Sequence, residues 1–280
     1  VVERIRHVIF VQLLVWWVLT LIGVEDLLAA RGRRGAAVAV IALGVGMMLL
    51  CGALPLLPFA AMGIGAYVVP RTLQLVAGGR ARVRALLQLA GAAALGGLLG
   101  AAQLLPTLAH LPLSPRALGA DFEFASSYAW PDPSYLLLLV APHLYGLGDK
   151  SRWFGAFNHW EMAGYYVGVW PVVLALGALW RPRLDRVVLF CLIAVAVVLA
   201  FGKATPLHGL LFKYLPLYGG LRCPTRALVI FVVFVPLLAA DGLDRWFAAP
   251  IATRALVHRL AAIVLLLAAG GLVAKLVLSA

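Results

Sequence analysis

Residues 36–69, AAVAVIALGVGMMLLCGALPLLPFAAMGIGAYVV, form one uninterrupted apolar run. About 20 apolar residues already cross the roughly 30 Å of a bilayer's hydrocarbon, so this run is too long for one comfortable span. Gly52, Pro55 and Pro58 stand near its middle, where a tight turn would divide it into two spans. A single kinked helix would instead invert the orientation of everything before it. We read the run as two spans.

The whole chain has the same character, with 64% hydrophobic and only 12% charged residues. Hydrocarbon offers the backbone no hydrogen-bond partner, so spanning segments are helices or closed barrels. Runs such as 187–200 lack the alternation of a barrel strand. The reading is all-α: a polytopic transmembrane helical bundle of about eight spans, near 8–24, 36–51, 55–70, 84–105, 162–180, 187–201, 225–241 and 256–278. It forms a single transmembrane domain over 1–280, with extracytoplasmic loops at 106–160 and 202–224 that contain short interfacial helices.

The charges support that division. It places Arg31, Arg33 and Arg34, then Arg71, Arg80, Arg82 and Arg84, then Arg181, Arg183 and Arg186, then Arg245, Arg254 and Arg259 on one side, which the positive-inside rule makes cytoplasmic. Much of the formal net charge of +12 is then topology signal, with no nucleic-acid partner implied. Arg far outnumbers Lys and Ala and Gly are abundant, as in proteins of GC-rich bacteria, so the expected location is a bacterial cytoplasmic membrane. Val1 is no initiator Met, and a span follows it almost at once from the outer side. The expectation is a fragment of a larger protein, with an odd number of spans upstream.

Cys51 and Cys191 lie in or at the edge of spans, and Cys223 is expected to face the outside; no zinc spacing or disulfide framework exists. Gly91, Gly96, Gly97 and Gly100 give the fourth span a small-residue face for close helix packing.

Two outer loops carry the chemistry. In the first, Ser134–Ala141 is an apolar run too short to span, read as a helix in or re-entering the interface. Tyr128, Trp130, Tyr135, Tyr145, Trp153 and Trp160 are then expected at headgroup depth, as a belt against membrane lipids rather than a sugar-stacking surface. Asp121 and Glu123 are candidates for a divalent cation or a general base, though a metal needs more oxygen ligands than this pair provides. Glu161 opens a span near the outer interface, either capping a helix or facing a polar cavity. His110, His143 and His159 are scattered, without metal spacing.

The second loop lies within FGKATPLHGLLFKYLPLYGGLRCPTR (201–226), which holds Lys203, Lys213, Arg222 and Arg226 on the side where cations should be few. His208–Tyr218 reads as an amphipathic surface helix stopped by Pro216. Arg222 and Arg226 flank Cys223 and Pro224 at the opening of the seventh span. Two guanidinium forks, backbone N–H groups and a positive dipole end there make a seat for phosphate. The alternative is that both arginines snorkel to lipid headgroups.

AAQLLPTLAHLPLSPRA (101–117), YAWPDPSYLLLLVAPHLYG (128–146), WEMAGYYVGVWPVVLAL (160–176) and FGKATPLHGLLFKYLPLYGGLRCPTRALVIF (201–231) resemble, in this order, the bacterial YfhO-type membrane proteins of the GT-C class of polytopic glycosyltransferases. The resemblance implies transfer of a sugar from a polyprenyl-phosphate carrier to a polymer, lipid or protein acceptor outside the membrane. Under it Gln103, Ser114, Arg116, Glu161, Arg222 and Arg226 match recurrent positions, and Lys203 and His208 join the expected substrate-binding set. Two features depart from the family. Its Gly-His-Pro-Gln-like turn is here Gly52, Ala53, Leu54, Pro55. The acidic residue that such proteins carry in the first outer loop is expected upstream of residue 1. A transporter or flippase for a lipid-linked anion, or a non-catalytic scaffold of envelope assembly, are the competing expectations.

Overall fold

The computed structural model describes residues 8–113, 121–146, 152–179, 183–215 and 218–248, with scattered positions from 259 to 270. Among the described residues every regular element is helical, and an isolated bridge between Gly146 and Trp153 is the sole strand-like pairing. Four helices are long and apolar enough to cross a membrane: Val8–Leu28, Leu54–Leu75, Gly79–Leu99 and Pro224–Ala248. Arg34–Leu50 and Val169–Ala178 are shorter apolar helices. The expected last span, 256–278, falls almost wholly outside the described residues.

The chain divides into two compact units that meet at Asp121 and Phe122. The unit within 5–121 holds α1 (Val8–Leu28), α2 (Arg34–Leu50), α3 (Leu57–Leu75), α4 (Gly79–Leu99) and α5 (Ala101–His110). The long apolar run breaks where Gly and Pro stand. α2 stops at Leu50, Gly52 takes φ 76, and Pro55 and Pro58 sit in the opening turns of a 3-10 segment (Leu54–Leu56) and of α3, where a missing N–H costs nothing.

Val24, Leu27 and Leu28 of α1, Ala37 and Ile41 of α2, and Ala85, Leu89 and Ala92 of α4 form this unit's core. The expected span over 84–105 is instead α4 followed by α5, with the break at Gly100, whose N–H closes α4 on Gly96 O while its carbonyl accepts from Gln103 and Leu104. Gly96 and Gly100 lie against α2: a Cβ on Gly96 would fall 2.6 Å from Val45 Cβ and 2.7 Å from the Ala42 carbonyl oxygen. Gly91 and Gly97 face open space. Gly96→Leu is therefore expected to lower stability by about 2 kcal/mol through overpacking, whereas Gly91→Leu leaves it unchanged or raises it. Thermal unfolding in detergent compares the two. Tyr67 and Arg71 of α3 both bond the Glu25 carboxylate of α1, each at 3.0 Å to Oε2.

The unit within 122–280 holds α6 (Phe122–Ala125), α7 (His159–Ala163), α8 (Val169–Ala178), α9 (Leu184–Ala200), α10 (Pro206–Tyr214) and α11 (Val229–Ala248). α8 and α9 pack on α11, with Gly242 of α11 set directly on the Leu174 carbonyl. Arg186 of α9, buried at 6% exposure, pairs with Asp241 of α11 through Nη2 at 2.6 Å.

Two expectations fail here. The single span over 162–180 is broken after Ala163, and the chain resumes as a helix only beyond Gly168, whose φ of 102 suits a residue without Cβ. Ten residues of α8 rise only about 15 Å, half the hydrocarbon thickness. The aromatic belt fails for Trp130 and Tyr135, which are 1% and 3% exposed. Trp130 donates its indole N–H to Met162 O at 3.1 Å, and burial there satisfies both the ring and its polar edge. The apolar run after it is a 3-10 helix, Pro133–Leu139, capped by Asp132, with Tyr135, Leu138 and Leu139 turned into this unit's interior.

Candidate functional site: an anion cradle around Arg222

Two segments far apart in sequence build the site. Residues 221–228 run from an extended approach into a 3-10 segment (Pro224–Leu228) that leads α11, and residues 122–130 wrap them. The Arg222 guanidinium lies over two aromatic rings, 4.9 Å from the Phe124 centroid and 4.7 Å from that of Tyr128. Its Nε donates to Ser127 Oγ at 2.8 Å, and that hydroxyl spends its own proton on the Phe124 carbonyl at 2.7 Å. Ser127 therefore can only accept from the arginine, which fixes the rotation of the guanidinium plane. Among the described residues neither terminal nitrogen of Arg222 meets an acceptor. Thr225 ties the two segments together by donating to Tyr128 O at 3.2 Å.

The backbone at the site is strained. Tyr128, Phe157 and Cys223 have φ of 62, 54 and 63, left-handed conformations that cost side-chain-bearing residues roughly 1 kcal/mol or more each. The Phe157 ring lies 5.1 Å from that of Tyr128. A bulky residue holds such a conformation only where its surroundings over-determine it.

Arg226 is differently placed. Its Nη2 donates to Glu161 Oε1 at 2.8 Å, with side-chain exposures of 20% and 11%. Asn158 caps α7 by accepting from the Glu161 N–H at 2.9 Å, so Glu161 both lies in a helix's first turn and holds the arginine. This carboxylate offsets the cost of a cation at the leading end of α11. The expected seat of backbone N–H groups is narrower than the sequence implied, because the Arg226 N–H is already bonded to Cys223 O.

The remaining candidates fall as follows. Lys203 pairs with Glu123 at 2.7 Å, both exposed. His208 is 1% exposed and its Nδ1 bonds the Tyr218 hydroxyl at 3.0 Å, so it faces protein and not solvent. Burial lowers the His208 pKa and pushes that of Tyr218 up to about 12. Asp121 and Gln103 are exposed and belong to the other unit. Ser114 and Arg116 lie outside the described residues. Among the described residues no three of His, Cys, Asp and Glu gather as a metal would require. Cys223, expected on the outer side of the membrane, is 3% exposed.

Sequence reasoning missed Phe124 and Ser127, and read Tyr128 only as part of an aromatic belt and Tyr218 only as the end of a surface helix. Phe124 and Tyr128 are four apart, but nothing in the sequence ties them to an arginine 95 positions beyond Ser127. Comparison of the chain with protein-family models, curated proteins and solved structures gives no match.

Proposed function

We propose that this is a membrane protein of about eight spans whose Arg222 cradle binds the phosphate of a lipid carrier at the extracytoplasmic face of a bacterial cytoplasmic membrane. The activity we assign to it is glycosyl transfer from a polyprenyl-phosphate-linked sugar to an extracytoplasmic acceptor. The observation that carries the reading is the Arg222 guanidinium, lying over two aromatic rings and held through Nε by Ser127, with no acceptor at its two terminal nitrogens among the described residues. A planar fork so fixed matches two phosphate oxygens, and aromatic faces strengthen a desolvated cation's hold. The resemblance of 201–231 and the other quoted segments to YfhO-type proteins supports the choice of carrier and reaction.

In the transfer step, an acceptor hydroxyl oxygen bonds to the sugar's anomeric carbon as the bond from that carbon to the carrier's phosphate oxygen breaks; the broken bond's electron pair stays on the phosphate, and the hydroxyl proton leaves to water. Fixed N–H donors from Arg222 stabilise that growing charge more in the transition state than in the ground state. Glu161 is committed to Arg226, so its part is to hold the second arginine in place.

A lipid-anion transporter is the second reading, favoured by one observation. The break between α7 and α8 is of the kind that discontinuous helices show at transporter binding sites. Proteoliposomes given a radiolabelled polyprenyl-phosphate sugar and a mixed acceptor pool decide between them. Label moving to acceptor supports transfer, intact carrier crossing between leaflets supports transport, and neither result removes both.

A further inference from the structure

His208 touches the second arm of the Arg222 cradle at Phe122 and, at Tyr218, the turn that leads into the first. Its imidazole bonds Tyr218, four residues before Arg222, and its ring lies 5.4 Å from that of Phe122, two residues before Phe124. In either neutral tautomer one ring nitrogen serves the tyrosine, while Nε2 is buried with no hydrogen-bond partner. The imidazolium would carry a charge and an Nε2–H with no partner among the described residues, and buried charge of that kind is relieved by opening. From this geometry we propose that His208 is a pH-sensitive latch on the cradle: neutral, it locks α10 against Tyr218 and Phe122; protonated, it releases both arms and weakens anion binding. The proposal rests on the cradle reading for its ligand, and on geometry alone for the latch.

Among the described residues, the charged groups near the imidazole do not supply a counter-ion. α6 presents Glu123, already paired with Lys203 of the 3-10 turn Gly202–Ala204, and Asp121 precedes it. α10 itself carries Lys213 at its end, the 218–220 turn offers the Tyr218 hydroxyl, and the last turn of α9 is apolar. Burial lowers the His208 pKa, so the latch's contribution is complete above the ordinary value of about 6.5 and is lost as pH falls through the lower folded value.

Hydrogen exchange of the purified full chain in neutral detergent, corrected for intrinsic rates, reads the latch without any ligand. Between pH 7.5 and 5.5 protection of 206–215 and 218–223 should fall several-fold, up to the roughly tenfold that one histidine opening to its ordinary pKa allows, in the wild type and not in His208→Asn. His208→Phe, which fills the aromatic slot and cannot titrate, serves if the Asn variant does not fold. Unchanged wild-type protection, or an equal loss in the variants, overturns the latch. Dihexyl phosphate, a diester whose charge is constant over this range, reads the ligand: about tenfold weaker wild-type binding at pH 5.5 is expected, and pH-independent in His208→Asn. If dihexyl phosphate fails to bind at any pH while exchange behaves as expected, the cradle reading falls and the latch stands. If it binds equally at both pH values, the latch's link to the cradle is overturned.

Discussion

Arg222→Ala is expected to weaken binding of dihexyl phosphate to the detergent-purified protein by about 100-fold, roughly 2.8 kcal/mol. The size follows from what the side chain supplies. Two charge-assisted hydrogen bonds to a phosphate in a poorly hydrated setting are each worth about 1.5 kcal/mol or more. The guanidinium lies over the Phe124 and Tyr128 rings and Ser127 fixes its Nε, so little ordering remains to be done when the ligand arrives. Arg222→Lys keeps the charge but neither the flat faces nor the fork, and an intermediate loss of about tenfold is expected. Equal affinity for wild type and Arg222→Ala in isothermal titration would leave the cradle without a ligand.

The second large effect concerns Arg226 and Glu161. Glu161→Gln removes the carboxylate facing a mostly buried guanidinium, and breaking such a pair from one side costs about 3 kcal/mol because the remaining charge is stranded. A fall in the thermal unfolding midpoint of several degrees is expected, with the Gln still able to accept one hydrogen bond. The double variant Glu161→Leu with Arg226→Met strands nothing and should recover most of the loss. If Glu161→Gln unfolds at the wild-type temperature, the pair does not hold the lead of α11 to α7. If the double variant is no better than the single one, packing and not charge explains the site.

The all-helical class was legible because hydrocarbon forbids most alternatives, so composition and run length suffice. The division of 36–69 was legible for a local reason: Gly52 and Pro55 act on their own backbone, whatever packs around them. The break inside 162–180 was not. Its apolar residues read as one span, and only the left-handed backbone at Gly168 and the neighbours of Glu161 divide them. Trp130 and Tyr135 were placed in an aromatic belt because amphipathic rings suit both an interface and a satisfied core, and sequence does not separate the two.

At the site, Arg222 and Arg226 were singled out by an expected anomaly of charge, cations on the side that the positive-inside reading leaves poor in them and at a helix's leading end. Their different fates were not legible. Arg226 meets a carboxylate 65 positions away, whereas Arg222 meets rings and a hydroxyl from the segment around Ser127. Such long-range pairings leave no periodic trace in one sequence. Lys203 was read with the arginines, yet it stands in an exposed pair with Glu123, where solvent screening leaves little net interaction.

The most direct test of the cradle is photo-crosslinking. A polyprenyl phosphate bearing a diazirine next to its phosphate, activated in membranes containing the full chain, should label peptides from 122–130 and 218–226, and that labelling should vanish in Arg222→Ala. Labelling confined to other segments, or undiminished by the substitution, would contradict the claim that this arginine receives the carrier's phosphate.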